Sequence, residues 1–214
     1  MTYSDKTSFE PDKRERILNA AIKVLALKGY QHATIAEIAA EAGVAKGLVH
    51  VYFESKLDIL LDVILLFVSS INNLIAAKLA ALDNPVARLH AVFEAFTELM
   101  SRSNKELYWG QILKEGLPFT ETFKDDRIRE KYARIGAQGK QLQATLDRII
   151  TEGQQQGFID ASLKPQVLRQ MLGGANQMLF YGLALESHGR EHVGYDETDV
   201  RQGITSLIDK FIIK

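Results

Sequence analysis

The sequence predicts an all-α protein in which a small N-terminal helix-turn-helix domain is joined to a larger helical bundle. Apolar residues recur at helical spacing along most of the chain, and alternating β-branched runs are hard to find. The four prolines, Pro11, Pro85, Pro118 and Pro165, stand at the edges of those helical segments, where a missing backbone donor costs least. With 214 residues, 46% hydrophobic and 25% charged, the chain has the composition of an ordinary globular protein and enough length for two cores.

The first helix is expected over 12–28, carrying Ile17, Ala20, Ala21, Val24 and Leu25 on one stripe and ending at Gly29. A second should begin at Thr34, because Thr34-Ile35-Ala36-Glu37 is a capping box, and end near Gly43. A third short helix covers about 45–52. Ser55-Lys56-Leu57-Asp58 repeats the capping pattern and opens a long fourth helix to about residue 82, whose wide apolar face suits a connection between domains. Pro85 opens a fifth, ending between 101 and 104. A shorter stretch over 105–114 stops at Gly116 and Pro118. Three more helices are expected over 125–156, 165–186 and 197–213.

Composition also excludes some functions. The absence of cysteine removes disulfides, thiolate metal sites and thiol redox sensing. The polar start and the absence of an apolar run of the ~20 residues that a span needs lead us to expect a cytoplasmic protein with no membrane partner. Net charge is −1 over the chain. Between Lys13 and Lys56, however, seven basic residues face four acidic ones, a local +3. That excess coincides with the segment 34–53, which has helix-turn-helix form: Ile35, Ile38 and Ala39 give the inner face of its first helix, Gly43 the turn, and Val44, Val49 and Phe53 the inner face of its second. Lys46, Gly47, Leu48, His50 and Val51 are left outward, a face suited to the major groove of double-stranded DNA.

The residues from Arg16 to Leu61 resemble the TetR family of transcriptional regulators. The resemblance rests on Lys28-Gly29-Tyr30, Ala33-Thr34-Ile35-Ala36-Glu37-Ile38-Ala39, Ala42-Gly43-Val44-Ala45-Lys46-Gly47, and Tyr52-Phe53-Glu54-Ser55-Lys56-Leu57-Asp58-Ile59-Leu60. It implies a dimeric repressor that binds palindromic operator DNA through residues 1–56 and senses a small-molecule inducer and dimerises through 57–214. It further implies that Thr34 contacts phosphate, that Lys46, Gly47, Leu48 and His50 approach bases or adjacent backbone, and that Tyr52 and Lys56 clamp phosphates. Leu48 and His50 depart from the small hydroxyl and the aromatic residue common at those positions. In the family the last two long helices build the homodimer, which here assigns the seam to Leu168, Leu172, Gly173, Leu179, Ile204, Leu207, Ile208 and Phe211, although packing within one protomer could use the same stripe.

The C-terminal half is rich in large apolar side chains. Phe96, Met100, Trp109, Leu113 and Phe123, close to the break at Gly116 and Pro118, are the best candidates to line a ligand cavity, with Met178 added from the penultimate helix. Thr151-Glu152-Gly153 through Gly157-Phe158-Ile159, followed by Leu168 to Gly174, resembles TetR-type regulators of fatty-acid degradation, which implies an acyl-CoA inducer. A drug-efflux regulator sensing aromatic or cationic compounds is the alternative. Gly173, Gly174 and Gly182 inside a helix suggest close helix approach. A helical ligand-binding or metal protein without DNA activity is a further alternative, since His188 and His192 stand four apart. Gly189 and Gly194 make that stretch a loop instead. No catalytic motif, metal site or cofactor is expected.

Overall fold

The computed structural model describes residues 11–101, 125–187 and 192–213. They form eight helices: α1 Pro11–His32, α2 Ile35–Ala42, α3 Lys46–Tyr52, α4 Lys56–Leu79, α5 Pro85–Ser101, α6 Asp126–Gln155, α7 Pro165–Ser187 and α8 Glu197–Asp209. The stretch 105–114, expected to be helical, lies outside the described residues.

The N-terminal helices end where local chemistry ends them. Gly29 takes φ 75° and breaks α1, after which the chain makes one more turn to His32. Thr34 caps α2 through the reciprocal box with Glu37, and Gly43 closes it in the left-handed region at φ 64°, which a β-carbon disfavours. Arg16 donates to the Ala42 carbonyl at 2.9 Å and satisfies one of the orphan acceptors at that end. Ser55 caps α4 by accepting the Asp58 N–H. The second half of the expected box is missing, because the Asp58 carboxylate accepts the Glu54 N–H at 3.1 Å and turns inward.

The buried core runs from Ile17 in α1 to Ile208 in α8. In its centre lies α4, packed against α1, α5 and α6, while α7 and α8 pair with each other and with α6 and α5 respectively. By length and composition α4 is apolar enough to cross a membrane, contrary to the expectation from the sequence. A helix in the middle of a bundle is covered on most sides, and 56% of its apolar window is buried here.

The last helix is shorter than its pattern suggested. The chain leaves α8 at Asp209, and Ile212 forms an antiparallel bridge with Ile159. Asp160 N–H donates to the Phe211 carbonyl at 2.8 Å and Ile213 N–H to the Phe158 carbonyl at 2.9 Å. Phe211 and Ile212 thereby pack beside buried Ile159 instead of extending α8.

Candidate nucleic-acid interface and ligand cavity

Helix α3 is held from behind. Val49 and Phe53 are buried against α1 and α2, and Lys46, Gly47, His50 and Val51 are left exposed. Lys46 makes no ion pair among the described residues. Most of the other cations of this segment are already engaged: Lys23 with Glu41 at 2.6 Å, Lys28 with Glu37 at 2.5 Å, and Arg14 with Asp62 at 2.5 Å. The +3 excess is therefore delivered unevenly, and Lys46 is its exposed representative on α3. Leu48 is half-buried against the core and offers only an edge.

Three of the expected phosphate contacts look different in three dimensions. Tyr52 is 5% exposed: three residues after Val49 on a 3.6-residue repeat, it shares the inner face, so its ring belongs to the core. The Lys56 ammonium donates to the carbonyls of Tyr30 at 2.5 Å, Ala33 at 2.8 Å and Gln31 at 3.3 Å, and lies 4.5 Å from the Tyr30 ring centroid. Its place is at the carbonyl-rich end of α1, where a cation is electrostatically favoured. Thr34 is exposed, but its hydroxyl accepts the Glu37 N–H at 3.2 Å and donates to the Glu37 carboxylate at 2.9 Å. Lys28 foremost, and then Thr34, hold the Glu37 carboxyl below the ordinary glutamate range.

At the start of α4 is a buried ionic cluster that the sequence did not reveal. Asp58 and Asp62, one turn apart on α4, both pair with Lys131 of α6, the Asp62 contact at 2.7 Å. Arg127 of α6 reaches Asp58 at 3.3 Å and Glu54 at 2.6 Å, and Arg14 of α1 closes on Asp62. Burial alone would lower the Arg127 guanidinium, but Asp58 and Glu54 outweigh it and hold its pKa above the ordinary value. Asp58 is 0% exposed, so these partners stand where water would otherwise solvate its carboxylate. The cluster ties α1 and the start of α4 to the start of α6. The available signal was the i,i+4 pair of acids within an otherwise apolar helix start.

A cavity of about 410 Å³ opens between α4, α5, α6 and α7, within the size range of small-molecule sites. Phe67, Phe93, Leu146, Asn176 and Phe180 are its buried walls, Phe96 and Leu142 are half-buried, and Gln143, Arg169, Gln170, Gly173, Gly174 and Gln177 complete the lining. Of the residues expected here, Phe96 lines it. Trp109, Leu113, Phe123 and the side chain of Met100 lie outside the described residues. Met178 does not line it: at 65% exposed it projects from the outer face of α7, while Asn176 and Phe180 are buried on the inward side of the same turns. Arg169 is paired with Asp147 at 2.8 Å, so its charge is balanced at the rim.

The helical glycines of α7 serve different ends. A β-carbon at Gly173 or Gly174 would meet nothing within 4 Å of this chain, and both glycines line the cavity. Gly182 is the site of close approach: a β-carbon there would lie 2.0 Å from the Tyr195 hydroxyl, which donates to the Leu179 carbonyl at 2.9 Å. The partner is the loop before α8, not a helix.

The stripe expected to form a dimer seam is largely internal. Leu168, Leu172, Ile204 and Ile208 are buried within the protomer, and Leu179, Leu207 and Phe211 are half-buried against the same core. Only Gly173 is exposed. The outer face of α7 instead carries Val167, Met171 and Met178 at spacings of four and seven. No group of three His, Cys, Asp or Glu residues suited to a metal occurs among the described residues. His188 lies outside them, and His192 pairs with Glu186 at 2.5 Å.

Comparison with known proteins agrees with this architecture. Residues 17–63 match the family described as bacterial regulatory proteins, tetR family. The fatty acid metabolism regulator protein of Bacillus subtilis (strain 168) is 28% identical over 166 residues, which cover 76% of this chain and 78% of that protein. The fold superposes on the fatty acid degradation regulator FadR from Bacillus halodurans with TM-score 0.71 at 21% identity, covering 93% of this chain and 95% of that one. It also superposes on FadR from Bacillus subtilis in complex with stearoyl-CoA, with TM-score 0.68 at 23% identity, covering 91% and 96% respectively. The helix-turn-helix segment 17–63 thus matches the tetR family, and the relative that spans most of the chain is a regulator protein.

Proposed function

We propose that the chain is a ligand-responsive transcriptional repressor that binds inverted-repeat operator DNA as a homodimer in the cytoplasm and is released by a hydrophobic inducer of acyl-CoA type. Residues 1–56 are then the DNA-reading unit and 57–214 the sensing and dimerising unit. The observation that carries this reading is the continuity of α4. Its first turn holds Lys56 against the end of α1 and Asp58 in the ionic cluster, and Phe67, three turns on, is a wall of the cavity. A ligand that favours one tilt of α4 therefore moves the reading heads of a dimer relative to each other, and its differential affinity for the two arrangements sets the release.

Lys46, Gly47 and His50 face the base edges in this reading, with Leu48 contributing an apolar edge. Thr34 approaches phosphate through its exposed helix start, while Tyr52 and Lys56 act indirectly by fixing α3 and α1. The homodimer uses the exposed Val167, Met171 and Met178 face of α7, with α8 alongside. An acyl chain suits the phenylalanine and leucine walls, and the described lining contains no carboxylate to balance a cationic drug, which favours acyl-CoA over an efflux-type inducer. Selection from random duplex DNA tests the DNA reading: an enriched inverted repeat, with half-sites about one or more helical turns apart, is expected. Enrichment of an asymmetric site or of none would refute it.

A further inference from the structure

We propose that Asn176 selects the inducer, by accepting a hydrogen bond from a neutral hydroxyl or amide N–H group carried by a long-chain ligand. The inference rests on the cavity being the inducer site. Leu168, Leu172, Asn176 and Phe180 follow one another at four-residue spacing on the inward stripe of α7, and Asn176 is the polar member. It is 7% exposed, lines the cavity, and its enclosed Oδ1 has no hydrogen-bond partner. Buried polar atoms are nearly always paired, and an apolar residue here would complete the stripe without that penalty. A water could occupy the position, but the buried walls around it, Phe67, Phe93, Leu146 and Phe180, are apolar, and the polar lining residues Gln143, Gln170 and Gln177 are exposed to bulk solvent. The unmet acceptor is thus answered by a ligand that brings its own donor. Arg169 is balanced by Asp147, so a free carboxylate gains no unpaired cation from the described walls and the group read by Asn176 is neutral. Such a donor has two sources, an amide of the kind found along a pantetheine arm or a hydroxyl on the acyl chain itself.

The test uses the full chain and calorimetric titration with dodecanamide, 1-dodecanol and methyl dodecanoate, which share a chain length and differ in their donor, alongside stearoyl-CoA. In the wild type the amide or the alcohol should bind about tenfold more tightly than the ester, the worth of one buried hydrogen bond. Asn176→Leu should bring the preferred donor ligand to within about threefold of the ester, with ester affinity equal or higher. Whichever donor loses more identifies the source. Without ligand, Asn176→Leu should melt at or above the wild-type temperature. Equal binding of all three probes to wild type, or an equal loss of all three in Asn176→Leu, overturns the assignment. If stearoyl-CoA binds while the probes show no preference, the role of Asn176 alone falls. If neither stearoyl-CoA nor any probe binds, the cavity reading falls and takes this proposal with it.

Discussion

Replacing Lys131 with methionine should destabilise the protein more than any exposed ion-pair substitution. The ammonium lies between Asp58 and Asp62, and its side chain is 10% exposed against 0% and 9% for theirs. Taking away one member of a buried pair costs about 3 to 5 kcal/mol, because the remaining charge is left in a poor solvent. Arg127 still reaches Asp58 at 3.3 Å and Arg14 still reaches Asp62 at 2.5 Å, which places the loss at the low end, about 3 kcal/mol. For a chain of this size that corresponds to a melting temperature lower by ~6 to 12 °C. Urea unfolding followed by circular dichroism reads the difference, and adding Asp62→Asn to Lys131→Met should recover ~1 to 3 kcal/mol as the coupling between neighbours. A loss below about 1 kcal/mol would refute the reasoning, since surface pairs are worth no more than that. Because the cluster joins α6 to the reading head, operator binding by Lys131→Met should also respond less to stearoyl-CoA than wild type.

Other outcomes follow from the same geometry. His50→Ala should change discrimination at one base pair by ~1 to 3 kcal/mol in competition with single-base operator variants; unchanged relative affinities would remove His50 from the reading face. Lys46→Ala should lower the salt slope of operator binding by about one, whereas Lys56→Met should lower it less and instead cost about 1 to 3 kcal/mol of folding stability, read by urea melts, through lost bonds to the α1 carbonyls. Glu37, held below the ordinary carboxyl value near 4.5, stabilises the fold above that pH and stops doing so as pH falls through its lowered value. The stability gap between wild type and Glu37→Gln should therefore be full at neutral pH and narrow on acidification, and a gap that widens at low pH would contradict the assignment.

The all-α class and the helix boundaries were readable because they depend on local chemistry. Thr34 with Glu37, Gly43, Ser55 and Pro85 mark their ends within a few residues of chain. The site was less legible wherever a side chain's role depends on what lies across the bundle. Tyr52 and Lys56 carry polar groups suited to phosphate, yet Tyr52 shares an inner stripe with Val49 and Lys56 finds three carbonyls 23 to 26 residues away in sequence. The ionic cluster was hidden for the same reason, since Asp58 and Lys131 are separated by 73 positions. Met178 and Asn176 are two residues apart and face opposite ways, which a list of large apolar residues does not reveal and a helical phase does. The buried Leu168, Leu172, Ile204 and Ile208 illustrate the ambiguity of any apolar stripe. Periodicity says that one side of a helix is covered but is silent on whether the cover comes from the same chain or from a second copy.

In the proposed function, occupation of the cavity between α4, α5, α6 and α7 controls the DNA-reading face of α3. Fluorescence anisotropy of the full chain on its selected inverted-repeat duplex, titrated with stearoyl-CoA while sedimentation follows the mass, tests that claim most directly. The expected result is loss of DNA binding with the protein still dimeric, and a weakened response in Phe96→Glu, whose DNA affinity without ligand stays at the wild-type level. Tighter DNA binding on addition of stearoyl-CoA, or release accompanied by dissociation into monomers, would contradict it.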